Sequence, residues 1–117
     1  MDVNSLLNKG QLNGSEIDFL AKQMGMKVSI YQYDQLPKKL KPGKYVILIG
    51  NRAGHWIGVY VMKHTAAYYD SFGVPMPDEI AKAIGRRISF FSLPEEQKLN
   101  SNHCGQYTLR FLYRVSN

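Results

Sequence analysis

The sequence predicts a single α+β domain, and three observations carry that prediction. Three short runs rich in apolar, β-branched and aromatic residues, Lys44 to Gly50, His55 to Met62 and Ala66 to Asp70, follow one another as strands do. Stretches with helical spacing and helix-end residues stand before and after them. The 117 residues, 44% hydrophobic and 21% charged, have the size and balance of one soluble domain spanning 1–117, with a core large enough to need no disulfide.

Each element has a local reason. Leu6 and Leu7 suit one helical turn before Gly10, and Ser15 as N-cap opens a short amphipathic helix through Ile17, Phe19, Leu20 and Met24, stopped by Gly25. Lys27 to Tyr33 alternates loosely as a strand, and Asp34 to Gly43, with two prolines, reads as a loop. KYVILIG, from Lys44, is nearly continuous in apolar residues, the mark of a central strand buried on both faces. The next two strands are separated by Lys63, His64 and Thr65, which suits a hairpin. Asp78 to Ile84, between Pro77 and Gly85, is a short helix; Arg87 to Phe91 is a strand; Ser92 to His103 is a polar loop. Cys104 to Val115 is a terminal helix with Tyr107, Leu109, Phe111, Leu112 and Val115 as its apolar positions.

Several function classes are disfavoured at once. One cysteine forms no internal disulfide, and three histidines without CxxC or HExxH spacing do not predict a metal site. No apolar run approaches the ~18 residues of a membrane span, and the residues after Met1 lack signal-peptide order, so the expected compartment is cytosolic or nuclear. Fifteen Lys and Arg against nine Asp and Glu give a net charge of +6, enough to attract nucleic acid weakly and without sequence preference. The excess gathers in Lys38, Lys39, Lys41, Lys44, Arg86 and Arg87, a cluster equally readable as a solvated surface.

The hairpin gives a geometric argument. With the turn centred near His64, residues whose numbers sum to about 127 lie opposite one another, so Asp70 faces Ile57 and stands one pleat step from His55. A histidine and a carboxylate so placed are either surface residues or a dyad in which the carboxylate fixes the imidazole tautomer. Cys104 stands at the expected start of a helix, behind a polar loop, where unpaired N–H groups and the helix dipole favour a thiolate. A free cysteine is also a common core residue, but a core cysteine is expected on the apolar stripe of a helix and not at its polar mouth. Gly105 would let a substrate backbone approach the sulfur, and Gln97, on the preceding loop, offers an amide N–H to a developing oxyanion.

His55-Trp56, Tyr69-Asp70-Ser71-Phe72-Gly73, Gln97 and Cys104-Gly105, in the order His, Asp, Gln, Cys, resemble the signature of the adenain family, the adenovirus endopeptidases. Their clan includes the proteases that process SUMO and related ubiquitin-like modifiers. The resemblance covers about Lys44 to Leu112, and its order differs from papain-type enzymes, where Cys precedes His. It implies a small, mainly antiparallel sheet packed with helices and a nucleophile at a helix N-terminus. It further implies Cys104 as nucleophile, His55 as general base and later acid, Asp70 as orienting carboxylate and Gln97 in the oxyanion hole. Trp56 and Gly105 are the implied substrate-side residues, and Phe72 and Gly73 shape the chain beyond the acid.

The resemblance implies a thiol endopeptidase, a hydrolase that needs no cofactor for its chemistry and processes viral capsid or core precursors during virion maturation. The expected setting is the virion and the nucleus or cytoplasm of an infected cell. Family members are stimulated by DNA and by a short viral peptide disulfide-linked to a second cysteine; Cys104 is the sole cysteine here, which excludes the covalent form and leaves DNA activation open. Thirteen residues follow Cys104, so the implied enzyme is minimal, with a groove completed by a partner or by self-association. His103 stands where the modifier proteases commonly carry Asp and is expected to modulate the charge of the site. Two alternatives share the residues: a deubiquitinase or SUMO-type isopeptidase, and a non-catalytic basic binding module.

Overall fold

A computed structural model describes residues 2–49, 55–91 and 103–116. Within them the chain runs α1 (Val3–Asn8), α2 (Gly14–Gln23), β1 (Val28–Gln32), a 3-10 turn (Tyr33–Gln35), β2 (Gly43–Ile49), β3 (His55–Val61), β4 (Thr65–Tyr69), α3 (Asp78–Ile84), β5 (Ile88–Phe91) and α4 (Cys104–Ser116). The result is a compact α+β globule of four helices and a five-stranded mixed sheet among the described residues.

The strands lie side by side in chain order. The two central pairings, β2 with β3 and β3 with β4, are antiparallel. The two outer pairings, β1 with β2 and β4 with β5, are parallel. The expected mainly antiparallel sheet is therefore corrected to a mixed one. A parallel pair needs a crossover: α3 carries the chain from β4 to β5, and the stretch through the 3-10 turn carries it from β1 to β2.

β3 is the most deeply placed strand, buried at six of its seven positions. Its alternate residues supply two separate cores. Trp56 faces the helices and joins Leu12, Ile17, Val46, Leu109 and Leu112. Ile57, Val59 and Val61 face the other way and join Ile47, Tyr68, Ile80 and Ile84 beneath α3. At Gly58 helix α4 comes so close that an added Cβ would stand 2.8 Å from Thr108 Cγ2, so the missing side chain sets the distance of helix from sheet.

The helix before β1 starts earlier than Ser15. Asn13 is its N-cap: its side chain accepts from the Glu16 N–H, and the Glu16 carboxylate accepts from the Asn13 N–H, each at 2.9 Å. Lys9 Nζ closes this box at 2.6 Å from Glu16 Oε2 and holds that carboxyl below its ordinary value, the Lys9 hydrogen bond being the leading cause. Gly25, with φ of +75°, ends the turn as expected.

Candidate functional site

The site assembles where β3 begins, β4 ends and α4 starts. The observed register pairs Gly58 with Tyr69 and Val59 with Tyr68, so the sum of 127 holds. His55 shares the parity of Ile57 and Val59, and Asp70 that of Ala66 and Tyr68, so both side chains leave the sheet on one face, one step apart diagonally. An imidazole and a carboxylate span that diagonal: His55 Nε2 lies 2.9 Å from Asp70 Oδ1, with both residues 3% exposed.

The turn after β4 fixes the carboxylate. Asp70 Oδ1 also accepts from the Phe72 N–H at 2.8 Å, while the Asp70 carbonyl accepts from the Gly73 N–H at 2.8 Å. Gly73 has a φ of +73°, which a side chain would oppose. The turn brings the Phe72 ring against the His55 imidazole, stacked with centroids 4.7 Å apart and planes 25° from parallel. Tautomer, tilt and position of His55 are thus all constrained.

Cys104 is the first residue of α4. Its sulfur accepts a hydrogen bond from the Trp56 N–H at 3.2 Å, so the residue next to His55 in β3 ties the thiol to the strand. The sulfur thus sits beside a backbone donor at the N-terminal end of a 13-residue helix. Burial pulls the His55 pKa down, but hydrogen bonding to Asp70 and to Cys104, together with their charges, outweighs it and lifts the value to about 9. The imidazole is set between a carboxylate and a sulfur, which favour its protonated form. With Nε2 turned to Asp70, its buried Nδ1 is the ring nitrogen left to face Cys104.

Other expected site residues fall differently. Cys104 is 3% exposed and lies on the buried stripe of α4 with Gly105, Thr108, Leu109 and Leu112, so it is at once at the helix mouth and in the core. Gly105 was expected to admit a substrate backbone. The direction its side chain would take is filled by Leu12, Trp56 and Ile17, the nearest 3.2 Å away, so close packing accounts for the glycine. Trp56 was expected on the substrate side. Its ring is buried, and its Nε1 donates to the Leu12 carbonyl at 2.8 Å, which fastens the α1–α2 connection to the sheet. Gln97 lies outside the described residues. His103 is half-buried immediately before α4, and its carbonyl accepts from the Tyr107 N–H.

Three contacts at the site carried no sequence signal as read: the Trp56 N–H on sulfur, the Phe72 ring on the imidazole, and Thr108 Oγ1 on the Trp56 carbonyl at 3.2 Å. The aromatic residue two positions after Asp70 was the available clue to the second. Among the described residues no group of three or more His, Cys, Asp or Glu side chains is gathered to hold a metal ion. The sequence matches no protein-family model and no curated protein.

Proposed function

We propose that this chain is a cysteine endopeptidase of the adenain type, with Cys104 as nucleophile, His55 as proton carrier and Asp70 as the group that holds His55. The observation that carries the reading is the buried His55–Asp70 contact of 2.9 Å beside a cysteine at the first position of a helix. Two unrelated requirements of thiol catalysis, an oriented imidazole and a sulfur favoured as an anion, coincide at one end of one sheet.

In this mechanism the resting pair is thiolate and imidazolium, consistent with the raised pKa of His55. The Cys104 sulfur attacks the scissile carbonyl carbon, and the electron pair moves to oxygen. The oxyanion is received by the Cys104 N–H and by Gln97, the role carried over from the family resemblance. As the tetrahedral adduct collapses, the C–N bond breaks and His55 gives its proton to the leaving amine. Now neutral, His55 takes a proton from water, hydroxide attacks the thioester, and the acid product leaves as the ion pair returns. Asp70 and the Phe72 ring keep the imidazole in place throughout. The proposed substrates are viral capsid or core precursor proteins.

The test is digestion of a proteome-derived peptide library by the wild type and by Cys104→Ala, with new termini read by mass spectrometry. Termini that share a sequence preference and vanish in the variant are expected. Equal patterns from both proteins would remove the endopeptidase reading. Labelling of Cys104 by a ubiquitin or SUMO probe with a C-terminal electrophile would shift it to an isopeptidase.

A further inference from the structure

At the opposite end of β3 from His55, about 20 Å away along seven residues of strand, the surface carries the reverse character. Lys39 from the loop before β2, Lys63 and His64 from the β3–β4 turn, and Arg86 and Arg87 after α3 line one cavity of about 600 Å³, with no acidic side chain among the described residues that line it. Three separate stretches of chain deliver these five residues. Gly85, with φ of +70°, reverses the chain after α3 and brings the two arginines beside the turn.

The negative end of α3 points into this region and would ordinarily disfavour an anion. Three of its last four carbonyls are already taken. Ala81 O accepts from the Gly85 N–H, Ala83 O from the Leu40 N–H, and Ile84 O from Arg87 Nη1 at 3.1 Å. Arg87 Nε also donates to the Met62 carbonyl at 2.7 Å, so this guanidinium is a fixed wall of the cavity. The side chains of Lys39, Lys63, His64 and Arg86 are exposed, and among the described residues none of the five takes part in an ion pair. Cations gathered without counter-charge repel one another, and a multivalent anion removes that cost.

From this geometry we infer that the cavity is a binding site for a compact anion carrying two or more phosphate groups. Its volume is that of a small-ligand pocket, and the adjoining depression is of mixed charge, unlike the continuous basic track that a nucleic-acid backbone requires. The neighbouring depression, which holds Lys38 and Lys82, also holds Asp34 and Glu79. The site shares no residue with the His55, Asp70 and Cys104 cluster, so it stands whether or not that cluster cleaves peptides.

The experiment is calorimetric titration of the full chain with sodium triphosphate at fixed ionic strength. It compares the wild type with Lys63→Gln/Arg86→Gln and with a control of equal charge loss elsewhere on the exposed surface, Lys27→Gln/Arg114→Gln. Arg87 is left intact because it is part of the fold, and circular dichroism verifies that all three proteins are folded. One triphosphate per chain is expected, with affinity falling at least ~10-fold in the cavity variant and less than ~2-fold in the control. Equal losses in both variants, or triphosphate binding no tighter than sulfate, would overturn the proposal. So would a single-stranded oligonucleotide that binds the cavity more tightly than triphosphate, since nucleic acid would then be the occupant.

Discussion

The two faces of the sheet are built from alternate residues of the same strands, yet they do different work. Along most of its length the face beneath α3 is closed by Ile47, Ile57, Val59, Tyr68, Ile80 and Ile84, an aliphatic and aromatic core, with the His55–Asp70 contact only at its edge. The face beneath α4 has polar groups threaded through it: the Trp56 indole on the Leu12 carbonyl, Thr108 on the Trp56 carbonyl, and the Trp56 N–H on the Cys104 sulfur. Dispersion and burial hold the first face whatever its exact rotamers, whereas directional bonds fix the second. The directional bonds gather at the start of α4, beside Cys104 and His55.

The largest expected effect breaks the chemistry and spares the packing. Cys104→Ala removes one sulfur from the core and should lower peptide hydrolysis by at least ~10³-fold, with a stability change of about 1 kcal/mol or less. Product formation and a urea midpoint, measured on the same sample, separate the two.

Next is the test of fit between α4 and the sheet. Gly58→Ala places a methyl group 2.8 Å from Thr108 Cγ2 and should cost about 1–3 kcal/mol as helix and strand are pushed apart. On the other face, Ile57→Val leaves a small void and should cost about 0.5–1.5 kcal/mol. Hydrolysis should fall in the first variant and persist in the second; equal activity in both would mean that the α4 face is no more exacting than its opposite.

The buried ion pair sets a pH dependence. His55 has a folded pKa of about 9 against an ordinary 6.5, so folding favours its protonated form. The stability it contributes is complete below pH 6.5 and is lost as pH rises through 9. In Cys104→Ala, where the thiol does not titrate, unfolding free energies from urea titrations at pH 6 and pH 9.5 should differ by on the order of 1–3 kcal/mol, and adding Asp70→Asn should flatten that difference. A Cys104→Ala protein equally stable at both would deny the charged His55–Asp70 contact.

The smallest effect lies farthest from the site. Asn13→Ala opens the capping box of α2 and should cost about 1 kcal/mol in thermal or urea unfolding, with hydrolysis unchanged.

Much of this was legible because it rests on period and spacing. The alternation of HWIGVYV and TAAYY around a short turn gave the register that pairs His55 with Asp70, since a hairpin leaves little freedom once its turn is placed. The start of α4 at Cys104 followed from a polar loop giving way to a 3.6-residue apolar period. The parallel edges were not legible, because the direction of an outer strand depends on which side a crossover returns to. Ser15 stood in for Asn13 as the cap because both residue types suit the position, and only the reciprocal bond to Glu16 distinguishes them. The packing of Gly105 and Trp56 against Leu12 was not legible, because spacing does not reveal which neighbours a residue meets. The Trp56 N–H on sulfur is a backbone donor and leaves no mark on side-chain identity.

The central claim is that His55 and Cys104 rest as an ion pair held by Asp70. Its most direct measurement is the pH dependence of iodoacetamide alkylation of the single cysteine, in the wild type and in His55→Ala. The paired site predicts alkylation that persists well below the ~8.5 of a free thiol and that loses this acidic limb when His55 is removed. Alkylation that follows an ordinary thiol in both proteins, or that requires unfolding in both, would contradict it.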